Sequence, residues 1–348
     1  MGIDISVFNN RLKAVSFQFD LLYSQLMSGD SDHISSEVTA FQILIQEYVH
    51  INPWFTEKYI LNSLDNIIAG LNQAVQKGLA GSMSGKGNKI AFLLNSDAPF
   101  DGFGEIIFAA LNDFKCQVKL AADSKPLFEG LFNYLNNKDL ALNSNILFID
   151  GKLSAYDGIV ILNAYENETA HKYLSKKPNL VLSRKGCKIE VTGNETREQL
   201  NELAGEICSF FGRSNFSARS LIVPPDYDFT ELFGVLEPYH ENANNHRYFN
   251  HYEYHKSILL INNISHLDNG FLLLTPDLSF TGKTGVVTYS HADVFVPSDL
   301  AGKEFEIIPE AVTHGLISGN VPVADRLFYD SEKLSGFLSD IAGKSTLA

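Results

Sequence analysis

The chain has 348 residues, of which 45% are hydrophobic and 20% are charged. This composition is typical of a globular protein with room for two domains, and it excludes disordered and collagen-like chains. The formal net charge of −14 argues against nucleic acid or an anionic membrane as a partner, because those surfaces require clustered Lys and Arg.

The sequence predicts a cytoplasmic protein with reduced cysteines. It has no uncharged run of about 18 apolar residues, and its first 20 residues are amphipathic, so we expect neither a membrane span nor a signal peptide. Cys116, Cys187 and Cys208 are too few and too scattered for a disulfide framework or a metal site.

Residues 1 to about 80 are predicted to be helical, because apolar residues recur there at spacings of three and four in three separate stretches. Thr56 is a candidate N-cap for the third helix, and Glu57 suits the positive end of its dipole. Trp54 is interpreted as a hydrophobic staple. The Gly- and Ser-rich segment 78–87 is a linker and not a phosphate loop, since its spacing departs from that motif and it precedes its strand.

From Lys89 the pattern alternates between strands and helices, which predicts a parallel, helix-covered sheet with a ligand crevice at the carboxyl ends of its strands. The strands are predicted at 90–94, 116–120, 146–149 and 158–162, and the amphipathic helices at 104–114 and 126–135.

A second set of elements follows. We predict a helix over 195–211 with Thr192 or Asn194 as its candidate N-cap, a loop over 210–219 and a strand after it. Further elements are a helix over 229–236, strands at 258–261, 271–274, 286–289 and 294–296, and a last amphipathic helix through Leu334, Phe337, Leu338 and Ile341.

Two clusters carry alternative interpretations. Cys187 is flanked by cations that favour a thiolate, but no base or oxyanion site accompanies it in the sequence, so a structural role is favoured. His251 and His255, at a spacing of four, suggest either a metal site or a packed Tyr- and His-rich helix, and we favour packing.

Several separated phrases resemble the LuxC-like acyl-CoA reductases of the aldehyde dehydrogenase superfamily. They are N-P-W-F-T at 52–56, the loop F-F-G-R-S-N-F at 210–216, P-P-D-Y-D-F at 224–229 and D-N-G-F-L-L-L at 268–274. The resemblance covers most of residues 45 to 300. It implies an α/β, aldehyde dehydrogenase-like fold with a Rossmann-like nucleotide domain, and reduction of an acyl thioester with NADPH.

In that family the loop is close to F-G-x-G-C-R-N, and its cysteine takes the acyl group. Counting from Phe211 and Gly212, with no gap before Val223, places Asn215 at the cysteine position. Ser214 and Ser217 are the neighbouring candidate nucleophiles, which would require a base within hydrogen-bonding distance.

The cofactor positions also depart from the family. Its first turn is close to G-N-x-P-L-x-G-F; here Pro99 and Gly102 match, whereas Ser96 replaces a glycine and Asp97 adds a carboxylate. A T-G-S-like turn later in the family corresponds here to Asn163 and Ala164, without the glycine that allows a close approach. The resemblance therefore implies NADPH binding that these positions weaken.

The predicted domains are a helical N-terminal segment at 1–85, a Rossmann-like nucleotide-binding-type domain at 86–190, a catalytic-type α/β domain at 191–315, and a tail at 316–348 that packs back on the first domain. Three hypotheses follow: an active reductase that forms fatty aldehyde, a catalytically degenerate relative, or an enzyme of altered chemistry. We favour the second hypothesis. Under it, the chain can still bind an acyl thioester (acyl-CoA or acyl carrier) or a partner protein, and oligomerisation is possible.

Overall fold

The computed structural model describes residues 5–28, 35–79, 84–85, 87–136, 138, 140, 142, 145–163, 177–182, 186–291 and 321–345. These residues form two compact units, the first built from Met1–Ser183 with Pro322–Ala348 and the second from Arg184–Val321. None of the described helices is both long enough and apolar enough to cross a membrane.

Three helices open the first unit, as the sequence predicts: α1 (Ile5–Ser28), α2 (Ser36–Glu47) and α3 (Glu57–Lys77). The side chain of Thr56 accepts a hydrogen bond from the backbone of Tyr59, which confirms it as the N-cap of α3. Each helix buries its apolar stripe in the core of this unit, and Trp54 packs against that core.

The first unit contains a five-stranded parallel sheet in the order β3-β2-β1-β4-β5, which confirms the predicted sheet. Its elements are β1 (Lys89–Leu94), α4 (Phe103–Leu111), β2 (Lys115–Lys119), α5 (Lys125–Asn136), β3 (Ile146–Phe148), β4 (Gly158–Leu162) and β5 (Asn179–Leu182). The sequence analysis missed β5. It was also wrong about α4, which is buried on all sides because neighbouring elements cover its whole surface.

The second unit holds another five-stranded sheet, in the order β6-β7-β10-β9-β8, in which β8 alone runs antiparallel to its neighbour. Its elements are β6 (Cys187–Glu190), α6 (Arg197–Cys208), β7 (Ala218–Val223), α7 (Thr230–Leu236), α8 (His246–Ile261), β8 (Leu267–Asp268), β9 (Leu273–Thr275) and β10 (Val286–His291).

Several predictions in the second unit are wrong. Residues 258–261 are the last turn of α8 and not a strand: Leu259 continues the buried face of that helix, and four apolar residues alone do not distinguish a strand from a helix end. The N-cap of α6 is Thr196, which forms a capping box with Gln199. Thr192 instead hydrogen-bonds to Glu195, outside the helix.

Two C-terminal helices complete the first unit, α9 (Val323–Arg326) and α10 (Ser331–Ser345). Leu334, Leu338 and Ile341 are buried, which confirms the last predicted helix. Ala164, the predicted strand at 294–296 and the tail at 316–320 lie outside the described residues.

Candidate functional site

A left-handed turn precedes the loop that carries Asn215. After α6, Phe210, Phe211 and Gly212 all have positive φ, at 54°, 59° and 68°. Left-handed backbone costs roughly 1–2 kcal/mol for a residue with a side chain, and such strain clusters at functional sites. The sequence analysis continued the helix to Phe211 and was wrong there. Glycine is the usual sequence signal of a left-handed residue, and in this turn it occupies only the last of the three positions.

The loop after this turn is fixed by hydrogen bonds. The Oγ atom of Ser214 accepts from the backbone N–H of Phe216 at 3.3 Å, and the carbonyl oxygen of Ser214 accepts from the N–H of Ser217 at 3.0 Å. From β7, Arg219 donates through Nη2 to the carbonyl oxygens of Arg213 and Ser214, at 2.8 and 3.4 Å. This arginine was not among the predicted site residues, although its position four residues after Asn215 could have suggested it.

The structure places Asn215 and Ser217 in the interior, with 8% and 2% of their surface exposed. The carbonyl oxygen of Ser217 accepts from the N–H of Cys187 at 2.8 Å, which ties the loop to β6. Within the described residues, no His, Asp or Glu is hydrogen-bonded to the hydroxyl of Ser214 or Ser217. The loop therefore holds an amide and two hydroxyls, and neither hydroxyl is hydrogen-bonded to a basic side chain in the part of the chain that the structure describes.

The three cysteines form no disulfide and are buried, as expected of small apolar side chains. Burial raises the pKa of the Cys116 and Cys208 thiols well above their ordinary value. Cys187 begins β6 and is 2% exposed, so it lies inside the sheet despite the cations that flank it in the sequence. A buried thiol in a strand fits a structural role.

The predicted nucleotide positions lie at the carboxyl edge of the first unit's sheet. β1 and β4 are neighbours, and Leu94 is paired with Leu162 at their ends. Directly beyond them, the side-chain Nδ2 of Asn95 donates to the backbone carbonyl oxygen of Asn163 at 3.5 Å. The φ angle of Asn163 is 52°, which is left-handed. Asn163 thus takes a conformation that glycine adopts more easily.

The loop 95–102 leads into α4, and Gly102 at its end has a φ of 89°. A Cβ atom on Gly102 would lie 2.9 Å from Leu94, so the turn requires glycine. Pro99 is buried, and the Oγ atom of Ser96 is buried without a hydrogen-bond partner. Four of the predicted cofactor residues, Ser96, Asp97, Pro99 and Gly102, therefore lie in this one loop.

Carboxylates surround the start of α4. Asp101 accepts from the N–H groups of Asp97 and Ala98, at 3.2 and 3.0 Å. Burial raises the pKa of Asp101 to about 7, and the negative charges of Asp97 and Glu105 raise it further. The two hydrogen bonds lower this pKa but do not outweigh burial. Glu105, which the sequence analysis missed, is 8% exposed in the first turn of α4. A helix N-terminus that binds phosphate is normally free of such charges.

Two other features contain none of the predicted site residues. A cavity of about 430 Å³ lies beside α3 and the C-terminal segment, where Lys77 pairs with Asp325 at 2.8 Å. His251 and His255 stack on α8 with ring centroids 6.2 Å apart, as their spacing predicted. In the described part of the chain, no three His, Cys, Asp or Glu side chains are grouped to hold a metal ion.

These two sheets and their helices have the aldehyde dehydrogenase fold. Among solved structures, an acetylating aldehyde dehydrogenase from Geobacillus thermoglucosidasius superposes with a TM-score of 0.51 and 11% identity, covering 83% of this chain and 75% of that one. Methylmalonate-semialdehyde dehydrogenase from Oceanimonas doudoroffii gives 0.52 and 11%, with 85% and 74% covered.

A larger neighbour is proline utilization A from Corynebacterium freiburgense, with a TM-score of 0.51, 11% identity and 84% of this chain covered. The match spans 33% of that protein, so the chain corresponds to about a third of its length. No protein-family model and no curated protein matches the sequence. The likeness therefore establishes the fold.

Proposed function

We propose that the chain is a LuxC-like relative of the NADPH-dependent acyl-thioester reductases that has lost reduction and retains binding of an acyl thioester. The observation that carries this proposal is the amide of Asn215, held in a buried loop at the position that the resemblance assigns to the nucleophilic cysteine. The aldehyde dehydrogenase fold supports it. The strained turn before the loop supports a binding role, since strain persists where the surrounding structure maintains it.

The chemical reason is that Asn215 carries an amide at the position where the resemblance places a thiol. A neutral amide does not attack a thioester, whereas a thiolate does so readily, and loss of a nucleophile can reduce the rate on the order of a million-fold. Ser214 accepts a backbone hydrogen bond within the loop, and Ser217 is buried. Cys116 and Cys208 are held protonated by burial. We therefore expect the protein to release no aldehyde from acyl-CoA.

The cofactor edge leads to the same expectation. Asp97, Asp101 and Glu105 lie around the N-terminus of α4, the part of this fold type where a dinucleotide phosphate would approach. The negative charge of Asp97 and Glu105, and of Asp101 when it is ionised, opposes a phosphate. The turn also has Ser96 in place of the glycine that allows close approach. We expect NADPH to bind weakly or not at all.

The test restores the thiol. Asn215→Cys is incubated with a long-chain acyl-CoA, with and without NADPH, and examined by intact-protein mass spectrometry and an aldehyde assay. We expect an acyl adduct on the variant, none on the wild-type protein, and no aldehyde from either. Asn201→Cys, an exposed substitution on α6, is the control for the intrinsic reactivity of a new thiol.

Two results would contradict the proposal. Equal acylation of the Asn215 and Asn201 variants would mean that no thioester site surrounds Asn215. NADPH-dependent loss of the adduct with release of aldehyde would mean that the nucleotide site is intact and that only the thiol is missing. Fluorescence titration with NADPH separates these cases, because saturable low-micromolar binding would support a working cofactor site.

A further inference from the structure

A cavity of about 430 Å³ lies in the first unit, between α3 and the C-terminal segment. One wall is a single face of α3, which lines the cavity at positions 70, 73, 74 and 77. The facing wall consists of Phe328, just before α10, and of Ser331, Glu332 and Ser335 within it. We call this space the α3–α10 cavity. Its volume lies within the range of small-molecule sites.

Small side chains leave this space open. Gly70 and Ala74 line it from α3, and Ser331 and Ser335 line it from α10. The two walls touch at Gly70, where a Cβ atom would lie 2.5 Å from the Cβ atom of Leu327. Elsewhere along the two faces the short side chains do not fill the gap. Because protein interiors are close-packed, a gap of this size is a built feature of the unit.

An ion pair holds the walls of the α3–α10 cavity together. The carboxylate of Asp325, in α9, accepts hydrogen bonds from Nζ of Lys77 at 2.8 Å and from the side-chain amide of Gln73. Burial alone would raise the pKa of Asp325, but these hydrogen bonds outweigh it and hold that pKa below its ordinary value. Lys77 and Asp325 therefore compensate each other's charge within the wall.

Glu332 adds a further negative charge to the cavity. The described side chains that line it carry one ammonium (Lys77) and two carboxylates (Asp325 and Glu332), which is a net charge of −1. α3 ends and α10 begins at this cavity, so the two helix dipoles contribute opposite signs and the side chains decide the sign of the charge. Glu332, Lys77 and Gly78 are exposed, so solvent reaches the cavity beside them.

The apolar part of the lining comes from Phe328 and Leu79. Both side chains are half-buried and pack against the core of the first unit, which fixes their positions. The face of an aromatic ring attracts an organic cation, and apolar groups gain free energy when they leave water. A net negative, partly apolar cavity favours a ligand with a cationic group on an apolar body and opposes an anion.

We propose that the α3–α10 cavity binds a small organic ammonium ion, whose charged group pairs with Glu332 and whose apolar body packs against Phe328 and Leu79. This site goes beyond the proposed function, because it lies within the first unit and needs neither a thioester nor hydride transfer.

The probe is 2-phenylethylamine, which is a cation at neutral pH, and 2-phenylethanol is its neutral counterpart of nearly equal shape. Each is titrated with the full chain while its ring protons are followed by NMR. We expect saturable binding of the amine, and binding of the alcohol that is weaker by roughly tenfold, because the alcohol has no charge to offer a carboxylate or an aromatic ring. Equal affinities, or an amine that does not saturate, would overturn the proposal.

Glu332→Gln tests the ion pair. It should weaken binding of the amine by roughly three- to tenfold and leave binding of the alcohol unchanged, because only the amine is charged. Asp340→Asn removes a carboxylate from an exposed position on the same helix and should change neither. Equal weakening of the amine in the two variants would mean that it responds only to the net charge of the protein, which contradicts the assignment.

Ser335→Leu tests the location, because the larger side chain occupies the cavity. We expect it to abolish binding of both probes. Gly336→Leu, one residue further along α10, is the control, since the place of its Cβ atom has nothing within 4 Å. Thermal midpoints establish that the variants are folded. Wild-type affinity in Ser335→Leu would place the amine elsewhere and reject the site. Because no thioester or nucleotide is present, this outcome is independent of the acylation of Asn215→Cys.

Discussion

The guanidinium of Arg219, at the start of β7, donates a 2.8 Å hydrogen bond to the carbonyl oxygen of Arg213. In the sequence, Arg213 precedes Asn215 and Arg219 follows it. A strand of the sheet therefore determines the path of the loop. Asn215 lies between the two arginines and is 8% exposed. The geometry around it depends on a charged donor that was not among the residues predicted for the site.

Replacing Arg219 should loosen this loop. Arg219→Gln removes the donor to the carbonyl oxygens of Arg213 and Ser214, and we expect a loss of roughly 1–3 kcal/mol in the local free energy of opening. Hydrogen-exchange mass spectrometry of peptides spanning 209–223 measures it. Arg197→Gln, an exposed arginine on α6, should leave exchange there unchanged, and equal exchange in both variants would show that Arg219 does not hold the loop.

The carboxyl group of Asp101 should make the stability of the first unit depend on pH. Its folded pKa of about 7 lies above the ordinary 3.8, so between these values the folded state binds more protons and the wild-type protein loses stability as pH rises. Asp101→Asn keeps an oxygen acceptor but cannot ionise. We expect its thermal midpoint, relative to wild type, to be higher at about pH 8 than at about pH 5.

The fluorescence of Trp54, the one tryptophan of the chain, reports on the first unit in this experiment. Asp65→Asn, an exposed position on α3, is the control and should follow the wild-type curve. A pH profile of Asp101→Asn identical to that of wild type would refute the high pKa.

Two glycines in helices of the first unit should respond oppositely to alanine. A Cβ atom on Gly104, in α4, would clash with the carbonyl oxygen of Leu327, so Gly104→Ala should destabilise the unit by roughly 1–3 kcal/mol. A Cβ atom on Gly336, in α10, meets nothing within 4 Å, so Gly336→Ala should stabilise by roughly 0.5–1 kcal/mol. Urea unfolding followed by Trp54 fluorescence distinguishes the two variants. An unchanged free energy of unfolding for Gly104→Ala would mean that the C-terminal segment does not pack closely against α4.

Lys256, Asp268 and Tyr252 should be energetically coupled. Nζ of Lys256 lies 2.7 Å from the Asp268 carboxylate and 3.1 Å from the hydroxyl of Tyr252. Burial alone would raise the pKa of Asp268, but hydrogen bonds from Lys256 and Tyr252 outweigh it and hold that pKa below its ordinary value. The resulting stability is present above pH 3.8 and is lost as pH falls through the lower folded pKa.

A double-mutant cycle with Lys256→Met and Asp268→Asn measures this coupling in the second unit. We expect about 1–2 kcal/mol near pH 7, and a value near zero once the aspartate is protonated. A coupling that persists in strong acid would have to come from packing and not from the ion pair.

Local sequence determined most of the elements. The three N-terminal stripes, the Thr56 cap and the run at 158–162 form the predicted structures, because hydrophobic periodicity and capping chemistry act over a few residues. The parallel sheet followed from the alternation of strands and helices. For the candidate site, the chain order alone put Ser214, Asn215 and Ser217 in one loop between a helix and a strand.

The remaining features depended on tertiary contacts. Residues 258–261 continue α8 because Leu259 is buried on the same face as Tyr252, a contact that no short apolar run encodes. Cys187 is inside a strand because β7 pairs beside it, despite its charged neighbours in sequence. Packing also brings together the groups behind three other features, which are the left-handed turn at Phe210, the hydrogen bonds from Arg219 to the loop and the raised pKa of Asp101. Sequence spacing does not specify these features, because burial changes the strength of hydrogen bonds and the ionisation of charged groups.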